Sequence, residues 1–201
     1  MIETMFGLVH RSTGYRNIST VLPKPNRTQL RPVGDNKINK DSVNDAVIDD
    51  LQERDLTEIA WSGTPTHVRH VAEELKRVSS GNSEYIAVRN PEGRALAIGL
   101  IDHVRHEDAS EIGQLSTDPA HQGQGFGTIL IEAAECRIRD RGHKWSILGV
   151  EVENLRARKL YERLGYTAYV NDTDSWTAED KQGNEYLHIA DTVLLRKCVN
   201  D

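Results

Sequence analysis

The chain has 201 residues and only two cysteines, Cys136 and Cys198. Two thiols so far apart make no metal-binding spacing and no disulfide framework, so a reduced, cytoplasmic protein is the default expectation. No apolar run approaches the length of a membrane-spanning helix, and no membrane role is expected. The opening MIETMFGLVH has neither the basic stretch nor the long apolar stretch of a secretion signal. What is present is an ordinary soluble balance, 37% hydrophobic and 28% charged. That length fits one domain with an appendage.

Charge is unevenly placed. Residues 1–40 hold seven Lys/Arg against two Asp/Glu, a balance of +5, which leaves −11 on the remainder of a chain whose net charge is −6. An acidic body speaks against nucleic acid and for a cationic partner, although the same charges can simply solvate a surface. Pro23, Pro25 and Pro32 fall in this basic stretch, where apolar residues keep no period. Residues 1–43 are therefore expected to form an extended or disordered arm, or to lie on a second subunit of a homodimer. Residues 44–201 are expected to form the folded domain.

Within that domain AVIDDL reads as a strand and RDLTEIAW as a short helix. Thr64-Pro65 is an N-cap followed by a first-turn proline. Val68, Val71, Ala72, Leu75 and Val78 continue at helical spacing. EYIAVRN and RALAIGLIDHV pair as a hairpin across PEG. SEIGQLST is a strand, GTILIEAAECRIRDRG a helix, KWSILGVEV a strand and LRARKLYERLG a short helix. YTAYV and ADTVLLRKCV are the last strands, separated by a polar loop over 171–184. This order predicts a mixed sheet with helices on its faces, an α/β (α+β) fold. His67/His70 and His103/His106 share a spacing of three, but no carboxylate-rich signature accompanies them and no metal is expected.

One stretch is chemically unusual. HQGQGFGT, His121 to Thr128, places three glycines at alternate positions between a strand and a helix. No lysine follows Gly127, as a Walker loop requires, and Thr128 stands where a Rossmann fingerprint needs its third glycine. The setting still suits an anion. The first amides of a helix have no internal partners, the dipole is positive there, and glycines let a large group approach the backbone. A ligand-free tight turn is the alternative.

The wider context QLSTDPAHQGQGFGTILI resembles the acetyl-coenzyme A motif of the Gcn5-related N-acetyltransferase (GNAT) superfamily, met here by Gln122, Gly125 and Gly127. Further on, LGVEVENLRARKLYERLGY resembles that superfamily's second signature, at Asn154, Ala157, Leu160, Tyr161, Leu164, Gly165 and Tyr166. TVLLRK is similar to its last strand, so the likeness covers roughly residues 45–197. The resemblance implies a mostly antiparallel sheet of six to seven strands with helices on both faces and a parallel strand pair splayed apart to admit acetyl-CoA. It implies that the amides of Gln122, Gly123, Gln124, Gly125, Phe126, Gly127 and Thr128 take the pyrophosphate. Leu115, Ser116 and Thr117 would run along the pantetheine, and Asn154 would contact that arm. Gln122 stands where many relatives carry arginine.

Acetyl transfer to an amine requires a neutral amine, a polarised thioester carbonyl and a protonated leaving thiolate. Tyr161 matches the residue that donates a proton to the sulfur in this superfamily. Its bland alternative is core packing, and for Asn154 it is a plain N-cap. One branch, the ribosomal-protein acetyltransferases, has a glutamate five residues before the asparagine. Gly149 occupies that place here, which speaks against that activity. Glu111 is the best substitute base, sharing a face with Gly113, Leu115 and Thr117 if the strand is regular. Glu151 and Glu153 are weaker candidates. Trp61 and Trp176 are candidate walls for an acceptor pocket, and Asp172, Asp174, Glu179 and Asp180 a candidate lure for a polyamine or aminosugar. The reading is an acetyl-CoA-dependent N-acetyltransferase acting on a small-molecule or peptide amine, with a catalytically silent acyl-CoA-binding module as the alternative.

Overall fold

The computed structural model describes residues 43–200; the arm expected over 1–43 lies outside them apart from its last residue. Seven strands form one sheet in the order β1-β2-β3-β4-β5-β7-β6. They are β1 (Val47–Asp50), β2 (Ser83–Arg89), β3 (Ala95–His106), β4 (Ala109–Thr117), β5 (Trp145–Glu151), β6 (Thr167–Glu179) and β7 (Glu185–Cys198). Every neighbouring pair is antiparallel except β4 and β5. The mixed, mostly antiparallel sheet expected from the sequence is the observed one.

Helices cover both faces. α1 (Pro65–Val78) starts where expected: the Thr64 side chain accepts from the His67 amide at 3.3 Å, and Pro65 fills the first position, where no amide hydrogen is needed. Its apolar stripe packs with Leu51, Ile59, Tyr85, Ile98 and Leu100 on one face. α2 (Phe126–Asp140) and α3 (Leu155–Arg163) bury the opposite face with Ile101, Ile112, Leu130, Leu148 and Leu195. Each such aliphatic side chain contributes roughly 1.5–3 kcal/mol on full burial. A third, smaller cluster, Ala109, Ile147, Val170 and Leu194, lies on the α1 side beneath β5, β7 and β6 and contains no helical residue.

Two expectations fail. Residues 53–62 do not make one short helix; they form two 3₁₀ turns, Glu53–Asp55 and Glu58–Ser62. Asp55 ends the first turn: its carboxylate accepts from the Gln52 amide at 2.9 Å, closing a capping box, and from the Arg89 guanidinium at 2.7 Å. The polar loop over 171–184 is also absent. β6 and β7 continue as a long hairpin paired out to Glu179↔Glu185. Its β6 half is polar from Asn171 to Ser175, and the apolar residues of its β7 half, Tyr186, Leu187 and Ile189, are exposed, so no buried apolar period marks it. The tip is fixed by side chains instead: Glu179 accepts from the Thr66 amide at 3.0 Å, and Thr66 Oγ1 donates to Glu185 at 3.1 Å. The hairpin thereby caps the free amides of α1.

Candidate active site

β4 and β5 pair only from Ala109↔Trp145 to Ile112↔Leu148. β4 then runs on to Thr117 and β5 to Glu151 without pairing. The parallel pair is therefore splayed at its C-terminal half, leaving facing backbone groups unsatisfied by a ladder. β4 also carries a bulge. Ile98 is opposite Ser116 but Leu100 is opposite Gly113, one residue too many on β4. Gln114 takes up the excess at φ 50°, and its side-chain oxygen accepts from the Tyr85 hydroxyl at 3.2 Å.

The bulge reverses the side-chain alternation, which corrects the expected position of Glu111. Glu111 shares its face with Gly113 and Ser116, on the α1 side. Leu115 and Thr117 face α2: Leu115 packs in the core on that side, and Thr117 Oγ1 lies beside Gly127. Ser116 Oγ donates to the Ser62 carbonyl at 3.4 Å. Glu111 is 3% exposed, with His106 Nε2 at 2.9 Å and Arg105 at 3.5 Å from its carboxylate. It lies one residue before the last paired row, at the apex of the splay.

The glycine-rich turn stands at the mouth of the same cleft. Asp118 closes the end of β4: it accepts from the Ala120 amide at 2.9 Å and from Arg94 at 2.8 Å. The Gln122 side chain folds back onto the Thr117 carbonyl at 3.3 Å. Gly123 and Gly125 adopt φ 76° and 100°, a left-handed region that penalises any side chain. Among the described residues nothing accepts from the backbone amides of 122–127. The Thr128 amide differs, being bound to the Gly125 carbonyl at 2.9 Å. The Phe126 ring is 1% exposed in the core, so only its backbone faces the turn. Gly127 has an ordinary backbone, and a methyl group there would meet nothing closer than Thr117 Oγ1 at 3.5 Å.

α3 begins at the end of β5. Asn154 is its N-cap, accepting from the Ala157 amide at 3.1 Å. Tyr161 lies on the buried side of α3, and burial pushes its hydroxyl well above the usual phenol value. That hydroxyl has no hydrogen-bond partner among the described residues. Tyr166, 6.3 Å away between ring centroids, instead shares a 2.7 Å hydrogen bond with Ser146.

On the α1 side, register places Gly149 and Glu151 of β5 with Val170, Asp172, Asp174 and Trp176 of β6. Trp176 is buried against His188 at 4.4 Å, and Trp61 packs on the α1 cluster. Glu179 and Asp180 are tied into the hairpin tip and keep their negative charge. Thr66 holds the Glu179 carboxyl below its ordinary value, and Asn184 does the same for Asp180 while closing the hairpin turn. Gln114, Ser62 and His106 carry no motif signal. The place of Gln114 follows from a bulge held by Tyr85, 29 residues away along the chain, and that of His106 from a second register shift between Asp102 and His106.

The described chain superposes on solved N-acetyltransferases. With ribosomal-protein-S18-alanine N-acetyltransferase from Escherichia coli the TM-score is 0.55 at 20% identity, covering 78% of this chain and 95% of that one. With spermidine/spermine N-acetyltransferase SpeG from Vibrio cholerae it is 0.57 at 20% identity, covering 78% and 94%. At such identities the likeness is one of fold. In sequence, 66 residues are 36% identical to a mycothiol acetyltransferase of Thermobifida fusca, spanning 33% of this chain and a fifth of that protein's length. The Acetyltransferase (GNAT) family model matches residues 46–166, across β1 to β5, the splayed cleft, the glycine-rich turn and α3. The chain belongs to the GNAT acetyltransferase family.

Proposed function

We propose that this protein transfers an acetyl group from acetyl-CoA directly to a primary amine. The observation that carries the reading is the splayed end of β4 and β5 with a turn of unaccepted amides at its mouth. A pyrophosphate fits that turn: several backbone donors converge at a helix N-terminus, where the dipole favours an anion. Gly127 supports the fit. Glycine is a poor helix former, and nothing among the described residues requires it there. A large group lying against the backbone would.

Bound acetyl-CoA supplies an activated acyl carbon and a thiolate leaving group. The Leu115–Thr117 backbone, unpaired on its β5 side, lines the pantetheine and presents donors to the thioester carbonyl. Asn154 spends its side-chain oxygen on the α3 cap and keeps its amide NH₂ for the pantetheine arm. Tyr161 holds its proton at neutral pH, as a phenol does and as burial reinforces, and its unpartnered hydroxyl gives that proton to the departing sulfur as the C–S bond breaks. The amine approaches from the α1 side, where the C–N bond forms. Glu111 faces that side and takes the ammonium proton, with His106 at 2.9 Å as the route toward solvent. The acceptor is a small-molecule or peptide amine.

Titration calorimetry with coenzyme A tests the donor half of this reading. One-to-one binding is expected, with competition by acetyl-CoA. A folded protein that binds neither overturns it.

A further inference from the structure

At the opposite end of the parallel pair, β4 and β5 both begin beside an open pocket of about 330 Å³ on the α1 side of the sheet. Its floor is apolar, formed by Ala109 and Ile147 of the helix-free cluster. Its walls are cationic and aromatic. The Arg196 guanidinium lies over two rings at once, 4.5 Å from the Trp145 centroid and 4.9 Å from that of Tyr169. Lys144 Nζ stands 5.5 Å from the same indole. Arg105 and His106 form the far wall, where both are engaged by Glu111.

The arrangement leaves a particular group unsatisfied. Stacking uses the faces of a guanidinium and leaves its in-plane N–H donors pointing outward. Among the described residues no carboxylate accepts from Arg196. Arg105, in contrast, has Glu111, and Glu107 at the rim opposes a second negative charge. The pocket therefore offers one planar fork of donors, backed by two rings and a neighbouring ammonium, above an apolar floor. A carboxylate or phosphate matches such a fork bidentately. A volume near 330 Å³ is at the small end for ligand pockets.

We propose that this pocket is a second ligand site, which holds a small organic anion by its carboxylate or phosphate group on Arg196. The site lies at the other end of the parallel pair from the splay, since Trp145 and Ala109 form the first paired row and the splay opens beyond the last, and it meets the proposed proton route at His106.

The test follows the indole N–H resonance of Trp145 in the isotope-labelled full chain, titrated with sodium succinate or sodium phosphate against sodium chloride at matched ionic strength. A saturable shift specific to one or both anions is expected, and the tighter of the two identifies carboxylate or phosphate as the preferred group. Arg196→Gln should weaken that binding at least about ten-fold. Arg196→Lys, which keeps the charge but loses the fork, should fall between. Unchanged Trp61 and Trp176 resonances report that each variant is folded. Phosphate captured by the glycine-rich turn instead would move the amides of 122–127 and ignore Arg196. Shifts no larger than those in chloride, or equal affinity in Arg196→Gln, overturn the proposal.

Discussion

Three buried tyrosines differ in what their hydroxyls do. Tyr85 donates to Gln114 and Tyr166 shares a hydrogen bond with Ser146. Tyr161 alone among them has no partner among the described residues. It keeps 7% exposure and its hydroxyl is not fully enclosed, which leaves that donor open to an incoming group. His67 is a residue-scale case with a stability consequence. It is 3% exposed under Gly63, and burial, helped by the nearby His70, lowers its pKa from 6.5 to about 4. The folded state thus takes up the proton later than the unfolded state as pH falls. Its contribution is complete above about pH 6.5 and is lost progressively down to about pH 4, a change of roughly 3 kcal/mol. Glu84, held at about 2 by His103 and Arg137, begins to matter only below about pH 4.5. Urea unfolding at pH 7.5 and 4.5 isolates the histidine. The native protein should lose about 2–3 kcal/mol over that interval, and His67→Leu most of that less. Parallel losses in the two proteins contradict the assignment.

At the scale of elements, the turn from Gln122 to Gly127 is the most sensitive piece. Gly125→Val forces a β-branched residue to φ 100°, a strain of about 1–2 kcal/mol, and places methyl groups where a phosphate would lie. Coenzyme A affinity should fall at least about ten-fold in a protein that still melts cooperatively. Unchanged affinity in the folded variant removes the turn from the cofactor site. The turn was legible in the sequence because glycine spacing and the strand before it are local signals. So were α1, through Thr64-Pro65, and the order of strands about β4 and β5. The facing of Glu111 was not, because one left-handed residue at Gln114 inverts the alternation and Tyr85 holds it from another strand. The β6–β7 hairpin escaped for a different reason. Asn171 to Ser175 are all polar, and they are strand because β7 pairs with them and Thr66 anchors the tip.

Across the whole molecule, one sheet separates two jobs. Its α2 and α3 face carries the packed core, Tyr161 and the helix whose N-terminus ends the glycine-rich turn. Its α1 face carries Glu111, Ser116 and the carboxylates Glu151, Asp172 and Asp174 beside the hairpin. The splay connects the two, and in the proposed reaction it is where a donor held between β4 and β5 would meet an acceptor from the α1 side. No helix among the described residues is long and apolar enough to cross a membrane. The central claim is catalysis, and amine-dependent release of thiol from acetyl-CoA, with the acetylated amine identified by mass, tests it most directly. A panel of polyamines, aminosugars, amino acids and peptides is compared in the native protein and in Tyr161→Phe, which keeps the ring and loses only the hydroxyl. The account predicts turnover with at least one amine, lowered by about 10²–10⁴ in the variant at nearly constant affinity for acetyl-CoA. Binding of acetyl-CoA with no turnover across the panel, or a variant running at the native rate with chemistry rate-limiting, contradicts it.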